Sequence, residues 1–358
     1  MTPSCSAQWT EAFLDSMRQV GDPPADSAVA VLLRNREVDA VHLLMRTLTE
    51  NEDPPPEALP GVVREFVERA DGLPSWADTA KIQAGRAVFE RNRAAILAVL
   101  MCGALPLQYA SKKGVQALQR IEKLYSNPRR RCAEAAHLLV SLFSQGTVST
   151  ARRQRLIHAA GRALLLHSGK WDKDWDQPLN QEDLAGWQVG LSHGIPAGLA
   201  KLGVELSPAE VDSFQHAVHA AAPALGIQAD LVPRSAEDAA ILAGHFQRRQ
   251  FATCSEGREM TRELAESLDY ILPGDRFDGA AAELMRYLLG DEHAEMVGLG
   301  PKLWKKLISA PSRWLGGGEE HGPRDAARFG SLAADFGQAL RVGLAHVERG
   351  GNLPAFSG

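Results

Sequence analysis

Cysteine is scarce in this chain of 358 residues, and the four present, Cys5, Cys102, Cys132 and Cys254, show no C-x-x-C spacing. That excludes a zinc knuckle and a disulfide framework. A glycine-rich nucleotide loop is missing, and so is a G-x-S-x-G elbow, which removes a phosphate cradle and a hydrolase triad from consideration. Charge of one sign is not in excess: 39 Lys and Arg stand against 44 Asp and Glu, a formal net charge of -5. The basic runs, Lys112-Lys113 and Arg129-Arg130-Arg131, are short, so no nucleic acid is expected as a partner. The N-terminus lacks a basic n-region and an apolar h-region, which makes a reducing, cytoplasmic home the expectation. Long apolar runs are lacking as well. The best, 94–110, is interrupted by Pro106 and falls short of the roughly 20 residues a spanning helix needs. It reads as a buried core helix; no integral membrane segment is expected, and peripheral contact with lipid stays open.

What is present is helical. Hydrophobic residues make up 45% of the chain and charged ones 23%, the balance of a globular protein. Apolar positions recur at helical spacing, and alternating β-branched runs bounded by turn pairs are absent, so the fold class is all-α. Asp78 or Thr79 is a plausible N-cap for a long helix from about Lys81, Pro128 suits the first turn of another, and Ser207 to Glu210 has the S-x-x-E form of a capping box. The three prolines 54–56 end whatever precedes them. A break is expected at Pro106, with a helix over 107–118 beyond it.

The chemistry concentrates in 152–193. Arg155, His158 and Arg162 lie three and four residues apart, so they project from adjoining patches of one helix. A Trp-rich acidic loop follows, then a second helix running towards His193. A neutral imidazole can ligate iron while flanking guanidinium groups bind carboxylates such as haem propionates. The competing reading is a helix face with a structural histidine and two surface arginines. His193 beside Gly194 is either a ligand or a helix-terminal side chain near the last carbonyls. Asp212, His216 and His219 share a helix and define a weaker alternative, a non-haem metal enzyme, although the H-E-x-x-H pattern is missing.

Several blocks, in order, carry a family resemblance: LPSWAD, ALPLQYASKKGVQAL, NPRRRCAEAA, RLIHAAGRALLLHSGKWD, PLNQEDLAGWQVGLS, GLAKLGVELSPAEVDSF, HAVHAAAPALGI and LMRYLLG, spanning roughly 73–303. Together they resemble the MpaB-like and latex-clearing-protein oxygenase family. The resemblance implies a single large helical domain of about ten or more helices around a buried, haem-sized pocket. It also implies haem b as cofactor, and dioxygen with an apolar isoprenoid, fatty or polyketide chain as partners. The latex-clearing branch carries an Arg and, three residues on, a Lys on the distal side of the haem; here these positions are Arg155 and His158. Its proximal histidine falls, counted without gaps, on Val189, which cannot ligate iron. The expected iron ligands are therefore His158 first and His193 second, with Arg155 and Arg162 towards the cofactor. The branch's catalytic glutamate matches Glu134 in RRxxE, and Arg155 is its expected catalytic partner. The expected organisation is an N-terminal helical extension over 1–60, the oxygenase domain over 61–310, and a glycine-rich loop with a C-terminal helix over 311–358. A protein that kept the fold and lost the cofactor is the remaining alternative.

Overall fold

The computed structural model describes residues 9–34, 38–50, 60–68, 72–125, 127–144, 147–272, 277, 279–300 and 323–348. The prolines 54–56, the glycine-rich stretch 311–322 and Cys5 lie outside these residues. Helices make up nearly all of the rest: α1 (Glu11–Met17), α2 (Pro23–Arg34), α3 (Val38–Glu50), α4 (Gly61–Glu68), α5 (Thr79–Val99), α6 (Leu105–Gln108), α7 (Gly114–Tyr125) and α8 (Pro128–Leu142). They continue through α9 (Thr147–His167), α10 (Gln181–Ser192), α11 (Gly194–Lys201), α12 (Pro208–Ala220), α13 (Ala236–Gln250), α14 (Ser255–Ile271), α15 (Ala280–Met296) and α16 (Pro323–Glu348). Among the described residues the only β pairing is an isolated bridge between Ser111 and Phe251, so the all-α expectation holds.

α5 is the axis. Asp78 caps it by accepting from the amides of Ala80 and Lys81, and its composition shifts from charged to apolar along its length. Ile96, Leu97, Ala98, Val99, Leu100 and Met101 are all buried, each large one removing about 1.5–3 kcal/mol of apolar surface from water. α12 and α16 pack along its two sides. Both approaches rest on glycine: a Cβ on Gly85 would meet the Ser213 carbonyl, and one on Gly337 would meet that of Ala94. Among the described residues no helix is long and apolar enough to cross a membrane.

One local expectation is corrected. Pro106 does not break the helix: it falls where a π-helical turn, closed by Leu105 N–H on Leu100 O, passes into α6, and the changed hydrogen-bond register there accommodates its missing N–H. The helix runs from α5 through a π-helical turn, Leu100–Ala104, into α6, and the break comes only at 109–113. α14 begins at Ser255, where Cys254 is its N-cap and its sulfur accepts from Gly257 N–H. The caps Asn127, Ser207 and Ser235 form as their sequences imply, Ser207 and Glu210 as a complete capping box.

The N-terminal helices α2 and α3 pack on α9, and ion pairs fasten this segment down. Arg18, almost wholly buried, meets Asp176 at 2.6 Å, Asp183 at 3.1 Å and Glu182 at 3.2 Å. Arg249 joins Glu182 to Asp15 and Glu11. Gln181, fully buried, donates to the carbonyls of Gly21 and Gly226 and accepts from Gln228 N–H. The NQED block is thus a structural bolt: three of its four side chains tie α10 to the N-terminal segment.

Candidate functional site

α8, α9 and α10 wall a largely apolar cavity, with about 1120 Å³ of free space counting its open mouth. Leu105, Leu118, Leu138, Leu184, Trp187, Leu225, Ile227 and Phe246 supply its greasy surface. Polar groups enter from four helices: Gln108 from α6; Arg131 and Glu134 from α8; Gln154, Arg155 and His158 from α9; Asp183 from α10. Of the residues singled out from sequence, the fold brings Glu134, Arg155 and His158 to one cavity. Arg162 and His193 are not among its lining residues.

His158 is the distinctive group. It lines the cavity and keeps part of its surface exposed, and desolvation, helped by the Arg162 charge, pushes it down to about 4. It is therefore neutral at physiological pH. Gln154, one turn back, places its Nε2 2.8 Å from His158 Nε2; with the ring proton on Nδ1 the amide donates to the ring.

The arginines are committed elsewhere. Arg155 forms a bidentate pair with Asp22, Nε to Oδ2 at 2.6 Å and a terminal nitrogen to Oδ1 at 2.8 Å, both residues buried. Arg162 donates to Asp26 at 2.9 Å and to the carbonyls of Pro178 and Leu179 at 3.2 and 2.7 Å. The expectation of two arginines free for propionates is thus corrected: carboxylates and carbonyls of this chain already occupy them. Spacing on α9 could not reveal this, because the carboxylate partners lie more than 130 residues away in the N-terminal segment.

α10 offers a helical explanation for Val189 and His193. Asp183, Leu184 and Trp187 define its cavity face. Val189 lies about 200° round the axis from Trp187 and is buried in the core. His193 is the C-cap residue, its amide donating to Val189 O at 2.9 Å, and its ring, half-buried, is pushed down by desolvation. The second helix therefore meets the cavity through Trp187 and Asp183, neither of which the search for histidines selected. The carboxyl of Asp183 is raised by burial, against the opposing pull of Arg18.

Glu134 accepts from Arg130 Nε at 2.9 Å and keeps part of its surface open. Arg131 pairs with Glu122 and lies 5.1 Å over the Tyr109 ring. Tyr109 and Ser111 line the cavity, and their hydroxyl oxygens are buried without a hydrogen-bond partner. Burial pushes the Tyr109 hydroxyl up to about 12, so it remains a donor. A neutral imidazole, apolar walls and two unpartnered hydroxyls are a donor set that fits an iron porphyrin with a polar edge. Among the described residues no cysteine lines the cavity; Cys102 and Cys132 are buried thiols held up by desolvation, Cys132 to about 11. The non-haem metal alternative is also corrected. Among the described residues no group of three His, Cys, Asp or Glu is placed to hold a metal ion, and His216 Nε2 is taken by Asp78 N–H at 2.8 Å.

With this arrangement in view, the chain belongs to the family described as ER-bound oxygenase mpaB/B'/Rubber oxygenase, catalytic domain, whose model matches residues 86–316. It is similar to "Rubber oxygenase" of Streptomyces sp. (strain K30), 28% identical over 323 residues, covering 86% of this chain and 78% of that protein. Its fold is similar to the solved "Structure of Latex Clearing Protein LCP in the closed state", with a TM-score of 0.67, 24% identity and coverage of 92% of this chain and 91% of the other.

Proposed function

We propose that this protein is a haem b-dependent oxygenase that accepts an unsaturated apolar chain in the cavity between α8, α9 and α10. The observation that carries the reading is His158, an imidazole kept neutral by desolvation at a largely apolar cavity of an oxygenase-family domain. The relative named a rubber oxygenase supports a polyisoprenoid-like substrate. When bound, haem supplies a redox-active iron able to activate dioxygen.

The chain's own residues do the rest. His158 is a neutral imidazole whose Nε2 accepts from the Gln154 amide, and that amide would have to swing aside for the ring to hold iron. Leucine, isoleucine and aromatic walls select an apolar chain and keep water from it. Glu134 brings a carboxylate to the cavity and accepts a proton from the substrate, while Arg130 steadies that carboxylate from outside. Arg162 adds positive charge that helps keep the His158 ring unprotonated, against the opposing pull of Asp22, which Arg155 holds in a bidentate pair. Tyr109 and Ser111 offer hydroxyl donors to the polar edge of the cofactor.

The test is an absorption spectrum of the protein expressed with adequate haem supply. A Soret band that disappears in His158→Ala supports the reading; an intact fold without a Soret band overturns it. One observation favours a second reading, a binding protein that kept the fold and lost the cofactor: Arg155 and Arg162 are already paired, and Val189 faces the core. Titration with an apolar chain in the absence of haem separates the two, since only the second reading expects tight, haem-independent binding.

A further inference from the structure

A second pocket lies beyond the N-terminal ends of α5 and α13, sharing no lining residue with the apolar cavity. It contains about 740 Å³ of free space with its mouth, and its character is opposite, dominated by Arg234, His219, Gln215, Lys81 and Asp212, with Trp76 as a wall. We propose that it binds a small hydroxy-carboxylate, with the carboxylate on Arg234 and the hydroxyl between Gln215 and His219.

Most of the pocket's charged groups are already satisfied. Asp212 is held by Lys81 Nζ at 2.7 Å, and Asp78 by the backbone amides it caps. His216 accepts from Asp78 N–H at 2.8 Å and stands edge-on to Trp76, which fixes one rim. Arg234 lies 4.0 Å over the Trp76 ring. Stacking holds a guanidinium by its face and leaves its edge, the fork that matches a carboxylate, unused. Among the described residues that edge makes no ion pair, so Arg234 is the pocket's unmatched charge.

The floor of the pocket is polar and unpaired. Gln215 and His219, one turn apart on α12, are 4% and 3% exposed, and Gln215 Oε1 and His219 Nε2 are buried with no partner. Burial keeps the His219 ring neutral. A carbonyl oxygen needs a donor, while a neutral ring nitrogen is satisfied as donor or acceptor. A hydroxyl answers both, because it donates once and accepts as well. A carboxylate alone cannot donate to Gln215, and an amine would meet the unmatched Arg234. A hydroxyl a few bonds from a carboxylate matches the floor and the rim together.

The experiment is calorimetric titration of the full chain with L-malate, with succinate as the same dicarboxylate lacking the hydroxyl, both at matched ionic strength. Saturable malate binding at up to about 10 mM, at least about tenfold tighter than succinate, is expected, because a site that hydrogen-bonds a hydroxyl rejects the analogue without it. Arg234→Ala, at an exposed position, abolishes binding of both; Gln215→Leu brings the malate-to-succinate ratio near unity. Equal affinity for the two acids, absence of saturable malate binding, or unchanged binding in Arg234→Ala overturns the proposal. Should Gln215→Leu fail to fold, Arg234→Ala and the acid pair decide it alone. None of these readouts depends on haem, so failure here leaves the proposed oxygenase function untouched, and the converse holds.

Discussion

His158 and His219 are both helical, both line a pocket and both are held neutral by desolvation, yet their surroundings differ. Burial depresses each ring, to about 4 for His158 and about 3 for His219. The secondary cause is Arg162 for the first, and His216 followed by Arg234 for the second. His158 faces leucines and a tryptophan; His219 faces a glutamine, an arginine and a lysine–aspartate pair. The contrast shows that burial decides protonation while the rest of the lining decides what a neutral imidazole can hold. An apolar wall suits a hydrophobic cofactor or chain, and an unpaired polar floor suits a small polar ligand.

The strongest way to break the contrast is to remove each ring in turn. His158→Ala is expected to abolish haem retention, read from the Soret band and the pyridine haemochrome, whereas His219→Phe retains it. Equal loss in both variants would erase the distinction between the two pockets.

Next in size is the support behind His158. Asp22→Ala leaves the buried Arg155 charge without its partner, at a cost of about 3–5 kcal/mol, measurable as a lower urea midpoint. Lys81→Ala, which breaks the exposed pair at the polar pocket, is expected to cost no more than about 1 kcal/mol. A small effect of Asp22→Ala would mean that Arg155 is satisfied without it.

The pH dependence follows with a definite sign. Each ring titrates below its ordinary value of 6.5 in the folded chain, so the unfolded chain takes up a proton that the folded one refuses. Stability is therefore whole above 6.5 and falls as pH drops, towards about 4 for His158 and about 3 for His219. His158→Phe and His219→Phe should each flatten the acid limb of stability against pH; a limb unchanged in both would show that carboxylates alone govern it. The smallest effect belongs to His193→Ala. It caps α10 away from the cavity lining, so haem retention is expected to stay unchanged and stability to shift by about 1 kcal/mol or less.

Much of this was legible in the chain. Periodicity and caps marked most helices, because Asp78, Asn127, Ser207 and Ser235 satisfy amides within their own first turns. Helical spacing put Arg155 and His158 on one stretch of α9, and the RRxxE element pointed to Glu134; all three reach the cavity. Arg162 and His193 were drawn in by the same logic and stand outside its lining. Proximity in sequence to a candidate ligand does not fix the direction of a side chain. Asp183, Trp187, Tyr109 and Ser111 were missed as site residues although their blocks were recognised, since each gains its role only from what lies opposite.

The sequence by itself determined the helical class, the family and the neighbourhood of His158, because local amide satisfaction and apolar periodicity act over a few residues. Only the tertiary structure decided which charges are free. Asp22 and Asp26 reach Arg155 and Arg162 from the far end of the chain, and desolvation, a property of the whole packed interior, sets whether a histidine there carries a proton.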